Sequence, residues 1–387
     1  MTKRIVLANP RGFCAGVDRA IQTVDTILRT AGDRADGLPP VYVRRQIVHN
    51  KHVVEQLASR GAVFVEELNE IPDAAAEAGI PVVFSAHGVS PAVQREADAR
   101  GLSIVDATCP LVGKVHREVL RFVREGYEIV YIGHNGHDEA VGVVGESPEH
   151  VHLIEHAADV DRLDFPESTK LVLLSQTTLS VDETADVIAA LQRRFPWIEL
   201  PPSSDICYAT SNRQEAVKLV AQQADCMVIV GSANSSNSVR LMEVANEALG
   251  ACGEAHRVDD AAEMDPAWFA GVSTVGVSSG ASVPDELVAG VVERLQELGF
   301  TESAQSRRFR RTCTSYCRRR CAQYDFFVVP IGATTASSTC ARSCGSTPRL
   351  RPRLPPDTRI SLNSIADSSS TVVCLVRWPS GEMPPTT

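Results

Sequence analysis

The sequence predicts an α/β fold of three pseudo-threefold-related domains with small parallel sheets, and three observations predict it. Strand-like and helix-like patterns alternate through the first 300 residues, the order expected of parallel strands joined by covering helices. Cys14 (GFCAGVDRA), Cys109 (DATCPLVGK) and Cys207 (DICYATSNR) fall at near-equal intervals, and each opens a helical pattern. After each cysteine the same two strand–loop segments recur. They are YVRRQIVHNKH, EIVYIGHNGHDE and CMVIVGSANSSNS, then VVFSAHGVSP, LVLLSQTTLS and VGVSSGASVP. Repetition of one unit defines domains 14–108, 109–206 and 207–300, each of ordinary domain size. Residues 1–13 hold a first strand expected to pack with the third domain.

Taken in order, RIVLANP reads as a strand and GVDRAIQTVDTILRTAG as a helix closed by glycine. PVYVRRQIV is the next strand, and NKHVVEQLASRG a helix ending at Gly61, where glycine accepts the left-handed turn after a helix. AVFV and PVVFSAHG follow as strands. SPAVQREADARG is a helix with Ser90 as N-cap and Pro91 in its first turn. SIVDATCP leads into the second unit: helix LVGKVHREVLRFVREG, strands EIVYIGH and KLVLLSQT, helix VDETADVIAALQRRF. The third unit reads SNRQEAVKLVAQQA (helix), CMVIVGS (strand), SNSVRLMEVANEALG (helix), VSTVGVSSG (strand) and VPDELVAGVVERLQELG (helix). Polar residues repeatedly fall where a strand gives way to a helix. In parallel sheets that is the carboxyl edge, where ligands bind and helix N-termini favour phosphate.

After Phe300 the periodicity stops. Residues 301–387 are rich in Arg, Ser, Pro and Cys, follow neither a helical nor a strand period, and are expected to be disordered. Only FFVVPIG (326–332) and TVVCLVRW (371–378) have strand character, and the Arg-rich flanks of Cys313, Cys317 and Cys321 weigh against a metal site. The abrupt change of composition suits an altered reading frame.

Charge and composition exclude several classes. The net charge of −10 combines 13 Arg against five acidic residues in 301–387 with a balance of −18 in the first 300. An acidic body argues against nucleic-acid binding through a broad basic face. No apolar run approaches the roughly 20 residues of a membrane span, and the apolar stretch of MTKRIVLANP is too short for a secretory signal. The expectation is a cytoplasmic protein, whose scattered cysteines are metal ligands, catalytic groups or buried thiols rather than disulfides. Cys226, in a strand, and Cys252, after a helix, read as packing residues.

Cys14, Cys109 and Cys207 invite a different reading. Structural zinc sites favour close cysteine pairs, which the first 300 residues lack. Three thiolates from three distant segments suit an iron–sulfur cluster, with one iron left open for a substrate oxygen. Any one of them alone would be a small buried residue beside a helix start. Three at matching places favour a shared site.

The polar loops supply the rest of a site. His49, His87 and His137 follow strands at equivalent edges. With Ser235, Ser236, Asn237 and Ser282 they form a donor set able to hold a diphosphate without a P-loop. Neither G-x-x-x-x-G-K-[ST] nor G-x-G-x-x-G is present. Glu139, two residues after His137 in what reads as a loop, is the candidate general acid. Its alternative is a solvated surface carboxylate. Thr177 and Thr178 can cap the following helix, but Thr177 aligns with His87 of the first unit, which favours a substrate role. Two other functions remain open on residues alone: a cofactor-free phospholigand-binding protein, and a zinc hydrolase with Glu139 as base.

ANPRGFCAGVDRAI, VHNKHVV, SAHGVS, DATCPLV, GHNGHDE, SQTTLSVDET, DICYATSNRQEAV, GSANSSNS and SGASVPD together resemble the LytB/IspH family, the 4-hydroxy-3-methylbut-2-enyl diphosphate reductases of the non-mevalonate isoprenoid pathway. These motifs run through about residues 4–300. The resemblance implies a cloverleaf of three α/β domains around a [4Fe-4S] cluster held by Cys14, Cys109 and Cys207. It places His49, His87, His137, Thr177, Ser235, Ser236, Asn237 and Ser282 at substrate-contacting positions and Glu139 at the proton donor. It further implies an allylic diphosphate substrate, two products (isopentenyl and dimethylallyl diphosphate), and electrons from ferredoxin or flavodoxin. Two departures stand out: Asp138, where proline is common, here read as a minor loop change, and the tail 301–387.

Overall fold

The computed structural model describes residues 3–31, 37–201 and 203–302, without the side chains of Cys252 and Glu302. They lie in the first of two units into which the chain divides, Met1–Cys317 and Arg318–Thr387. The expectations for residues 303–387, including Cys313, Cys317, Cys321, FFVVPIG and TVVCLVRW, and for the Cys252 side chain lie outside the described residues.

The chain opens with β1 (Arg4–Leu7) and α1 (Ala15–Thr30), then β2 (Val41–Arg44), α2 (Lys51–Ala58) and β3 (Ala62–Val65). The short helix α3 (Asp73–Glu77) precedes β4 (Pro81–Phe84), α4 (Pro91–Ala99) and β5 (Ser103–Asp106). Next come α5 (Pro110–Arg124), β6 (Tyr127–Ile132), α6 (Asp138–Val144), β7 (Val151–Ile154), β8 (Lys170–Ser175) and α7 (Val181–Arg194). The last stretch holds α8 (Tyr208–Ala221), β9 (Cys226–Val230), α9 (Ser236–Leu249), β10 (Glu254–Val258), β11 (Thr274–Ser279), α10 (Asp285–Glu297) and β12 (Thr301–Glu302).

These strands form three parallel sheets, ordered β3-β2-β4-β5, β7-β6-β8 and β10-β9-β11-β1-β12. The first strand therefore sits in the last sheet, with Arg4–Leu7 in register with Thr274–Val277. The central strands β2, β4, β6, β9 and β11 are largely buried on both faces, which explains their nearly continuous apolar runs. In the third sheet Met227 and Ile229 pack with Val217, Leu241 and Val244, while Val228 and Val230 pack with Val288, Val291 and Leu295. Successive residues of β2 and β6 divide between two apolar layers in the same way. Among the described residues no helix is long and apolar enough to cross a membrane.

Several features differ from the sequence reading, among them the short helix α3, which it did not name. Strands β7 and β10 have no expected counterpart: their sequences, VHLI and EAHRV, carry His and Arg, and both lie on sheet edges where half-exposed positions tolerate polar residues. Glu139 does not lie in a loop but in the first turn of α6, a helix whose Gly142 weakens its propensity. Order does not stop at Phe300, because Thr301 and Glu302 pair with Arg4 and Ile5. That pairing is made by backbone groups, which a side-chain pattern does not reveal.

Candidate functional site

The three cysteines occupy one structural position three times. Each is the N-cap of a helix: Cys14 of α1, Cys109 of α5 and Cys207 of α8. Each donates its backbone N–H to the carbonyl two residues past the end of a strand: Cys109 to Ala86 after β4, Cys207 to Thr177 after β8, Cys14 to Ala281 after β11 (3.0 Å in each case). This register corrects one sequence alignment. Thr177 matches Ala86 and Ala281, while His87 matches Thr178 and Ser282.

The thiols converge. A Cβ on Gly16 would lie 2.6 Å from Cys109 Sγ and 4.0 Å from Cys14 Sγ, so only glycine leaves room there. Cys207 is close enough to feel the charges of both other cysteines. All three are free thiols. Helix-terminal N–H groups face the sulfur: Val17 N donates to Cys14 Sγ at 3.5 Å and Thr210 N to Cys207 Sγ at 3.3 Å. Burial raises the Cys109 thiol and pushes Cys207 up to about 11. Without a metal both stay protonated at neutral pH; a bound metal replaces those protons. Cys226, by contrast, is a core residue of β9, its thiol raised by burial to about 12.

The second set of loops places the histidines beside one another. His49 stacks on His87 with ring centroids 4.0 Å apart, and His137 meets both edge-on at 5.2 and 5.8 Å. Burial holds all three rings below the usual histidine range, against the pull of Asp138 at His49; repulsion from His49 adds to burial at the other two, leaving His87 well below that range and His137 at about 4. His137 is also the N-cap of α6: its Nδ1 accepts from Glu139 N at 3.1 Å, which puts the proton of the neutral ring on Nε2. Asn50 and Ser235 cap α2 and α9 after the corresponding loops.

Glu139 is 1 % exposed. Thr177 donates to it twice, from N at 2.8 Å and from Oγ1 at 2.9 Å. Burial outweighs both bonds and raises its carboxyl to about 7, so near neutral pH it is a proton donor and acceptor in balance. Its charge also reaches Cys109. The solvated-surface alternative for Glu139 is thereby excluded.

The serines and asparagine join these groups into one network. Ser282 Oγ donates to His49 O at 2.9 Å, and Thr178 Oγ1 to Ser236 Oγ at 3.1 Å. Asn237 accepts from Ala281 N at 2.8 Å and donates to Thr210 Oγ1, itself 3.1 Å from Cys207 Sγ. Ser235 accepts from Ser238 Oγ at 3.1 Å. All twelve residues singled out from sequence thus border one region. Thr177 and Thr178 do not cap α7, whose N-cap is Ser180.

Sequence reading missed three participants. Asp138 is more than a loop change: its Oδ2 lies 3.9 Å from both His49 Nε2 and His87 Nδ1, and its Oδ1 pairs with Arg45. Its position between His137 and Glu139 was the available signal. Thr210 and Gly16 had only one: each lies within one helical turn of a cysteine.

The sequence model of the LytB protein family matches residues 5–296. The chain belongs to the LytB family. It is 79 % identical over 306 residues to the 4-hydroxy-3-methylbut-2-enyl diphosphate reductase of Bifidobacterium longum, covering 78 % of this chain and 87 % of that one. The enzyme of the same name from Mycolicibacterium paratuberculosis is 57 % identical over 298 residues, covering 77 % and 86 %. Among solved structures, the Plasmodium falciparum E-1-hydroxy-2-methyl-but-2-enyl-4-diphosphate reductase superposes with a TM-score of 0.73 at 38 % identity, covering 78 % of this chain and 92 % of that one. The three small parallel sheets are therefore the LytB fold, and the family resemblance read from the motifs holds.

Proposed function

We propose that this LytB protein is a 4-hydroxy-3-methylbut-2-enyl diphosphate reductase that forms isopentenyl and dimethylallyl diphosphate, the last step of the non-mevalonate isoprenoid pathway. The observation that carries the proposal is the convergence of three free thiols, each at a helix N-terminus, beside a buried, twice-bonded Glu139. Its thiolate donors, the facing N–H groups and the space kept by Gly16 fit a [4Fe-4S] cluster held by Cys14, Cys109 and Cys207. Such a cluster supplies electrons and a Lewis-acidic iron.

The chain's own residues do the rest. His49, His87, His137, Ser235, Ser236, Asn237 and Ser282 bind the diphosphate. Their rings are neutral when the site is empty, and an arriving anion favours their protonation. Thr177 aims Glu139, whose carboxyl delivers a proton to the leaving hydroxyl. The balance is one C–O bond broken, one C–H bond formed and one water released, for two electrons and two protons. The electrons come from an external donor of the ferredoxin or flavodoxin kind.

Anaerobic purification tests this reading. A brown protein containing iron and sulfide, which turns over the hydroxylated allylic diphosphate with a chemical reductant, is the expected result. A colourless protein carrying zinc, or one binding the diphosphate without metal, would favour a hydrolase or a binding module. A second expectation comes from Gly16. Gly16→Ala puts a methyl against Cys109 Sγ and should lower the iron retained after anaerobic reconstitution while leaving the circular dichroism spectrum unchanged. Wild-type iron content in that variant would mean the sulfur has room to yield.

A further inference from the structure

Arg213, in the second turn of α8, is 4 % exposed. Its guanidinium is committed to backbone, donating to Ala209 O at 2.7 Å and to Gly12 O at 2.5 Å, and its Nε has no partner. Among the described residues, no carboxylate lies within ion-pair distance of it. Other buried or half-buried cations near the site are matched: Arg44 by Glu67, Arg45 by Asp138, Lys114 by Asp205, Arg240 by Glu183. Arginine cannot shed its proton, and a buried charge without a counter-charge is costly. Asp285, whose Oδ1 would lie 2.9 Å from a Cβ on Gly12, is exposed and outside ion-pair distance of Arg213, so it offers only a solvent-screened counter-charge and a closer one has a place to act.

The two carbonyls it holds point to where. Gly12 lies two residues before Cys14, and Ala209 two residues after Cys207. At 1.5 Å per residue, Arg213 Cα is about 9 Å along α8 from its Cys207 cap, and helical side chains lean back toward the N-terminus. The guanidinium therefore ties together two of the three cysteine-bearing segments. Ser279 Oγ, which accepts from Gly12 N at 2.8 Å, holds the same segment from the other side.

We propose that Arg213 is the fixed counter-charge of the cysteine site: it clamps the Cys14 and Cys207 segments together and balances the negative charge of a thiolate-held cluster. This rests on the reading of the three cysteines as cluster ligands. A nearby positive charge favours the more negative, reduced state, so Arg213 raises the cluster's midpoint potential. It acts through the ligand segments and is a positioning residue.

The test compares wild type, Arg213→Gln and Arg213→Lys, each reconstituted anaerobically with iron and sulfide. Iron per chain and the midpoint potential from a spectroscopically followed redox titration are the readouts. Arg213→Gln, which donates hydrogen bonds without charge, should hold less iron and show a more negative midpoint. Arg213→Lys, which keeps the charge but cannot fork to both carbonyls, should lose iron yet keep a midpoint near wild type. An unmoved midpoint in the Gln variant, or equal displacement in both, overturns the proposal while leaving the cluster reading intact. Should the Gln variant not fold, the Lys midpoint decides: near wild type supports the proposal, displaced negative overturns it. A wild-type protein that takes up no iron overturns both.

Discussion

Cys109→Ser should leave a folded protein that has lost most of its iron and its turnover. Serine keeps the N-cap position and the backbone bond to Ala86, because that bond uses the Cys109 N–H. What it removes is the soft thiolate, and an alcohol oxygen is a poor ligand for iron in a sulfide cluster. The same change at Cys14 or Cys207 should have the same consequence, since the three hold equivalent cap positions. Cys226→Ser is the control: buried in β9, it should cost only packing, on the order of ~1 kcal/mol, and leave the iron content unchanged. Iron and sulfide analysis on anaerobically prepared protein decides the matter. Full iron content in Cys109→Ser would falsify the ligand assignment.

Glu139→Gln should reduce turnover by roughly 10²–10⁴, the usual worth of a positioned proton donor, with substrate affinity and cluster content near normal. The amide preserves shape and can still accept from Thr177, but it carries no transferable proton. The wild-type pH profile should agree. The proton must be present on Glu139 for it to act as an acid, and its carboxyl titrates at about 7. Turnover limited by this proton therefore falls as pH rises through that region, and in Glu139→Gln this limb should vanish. Steady-state kinetics across pH separates the possibilities. A raised KM at unchanged kcat would make Glu139 a binding residue, and unaltered kinetics would remove it from the chemistry.

The parts legible in sequence were those with a repeated signature. Buried strands such as CMVIV and KLVLLS announce themselves because both faces are apolar, and the cysteines and histidines stand out by recurring at equivalent places. Edge strands β7 and β10 lack that signature, since half their side chains meet water. Glu139 was found by its neighbour His137, but its burial was not readable: it depends on Thr177, remote in sequence and brought close by the fold. Asp138 shows the converse. A carboxylate among three histidines reads as a substitution in a loop until Arg45, from a different sheet's edge, supplies its partner. Arg213 was hidden in α8 because a sequence shows charge but neither burial nor the absence of a counter-charge.

The pairing of β1 with β11 and the bond from Cys14 N to Ala281 O set an order of events during synthesis. The first cysteine to leave the ribosome is placed by a segment that follows it more than 250 residues later. Until residues 274–281 have emerged, β1 has no neighbour on that side and the Cys14 thiol no fixed position. Contacts of such long sequence separation form late. Metal delivered before that point would meet at most two placed thiols, so loading belongs after residues 274–281 have emerged, and a ribosome stalled within α10 should carry a chain that binds no iron.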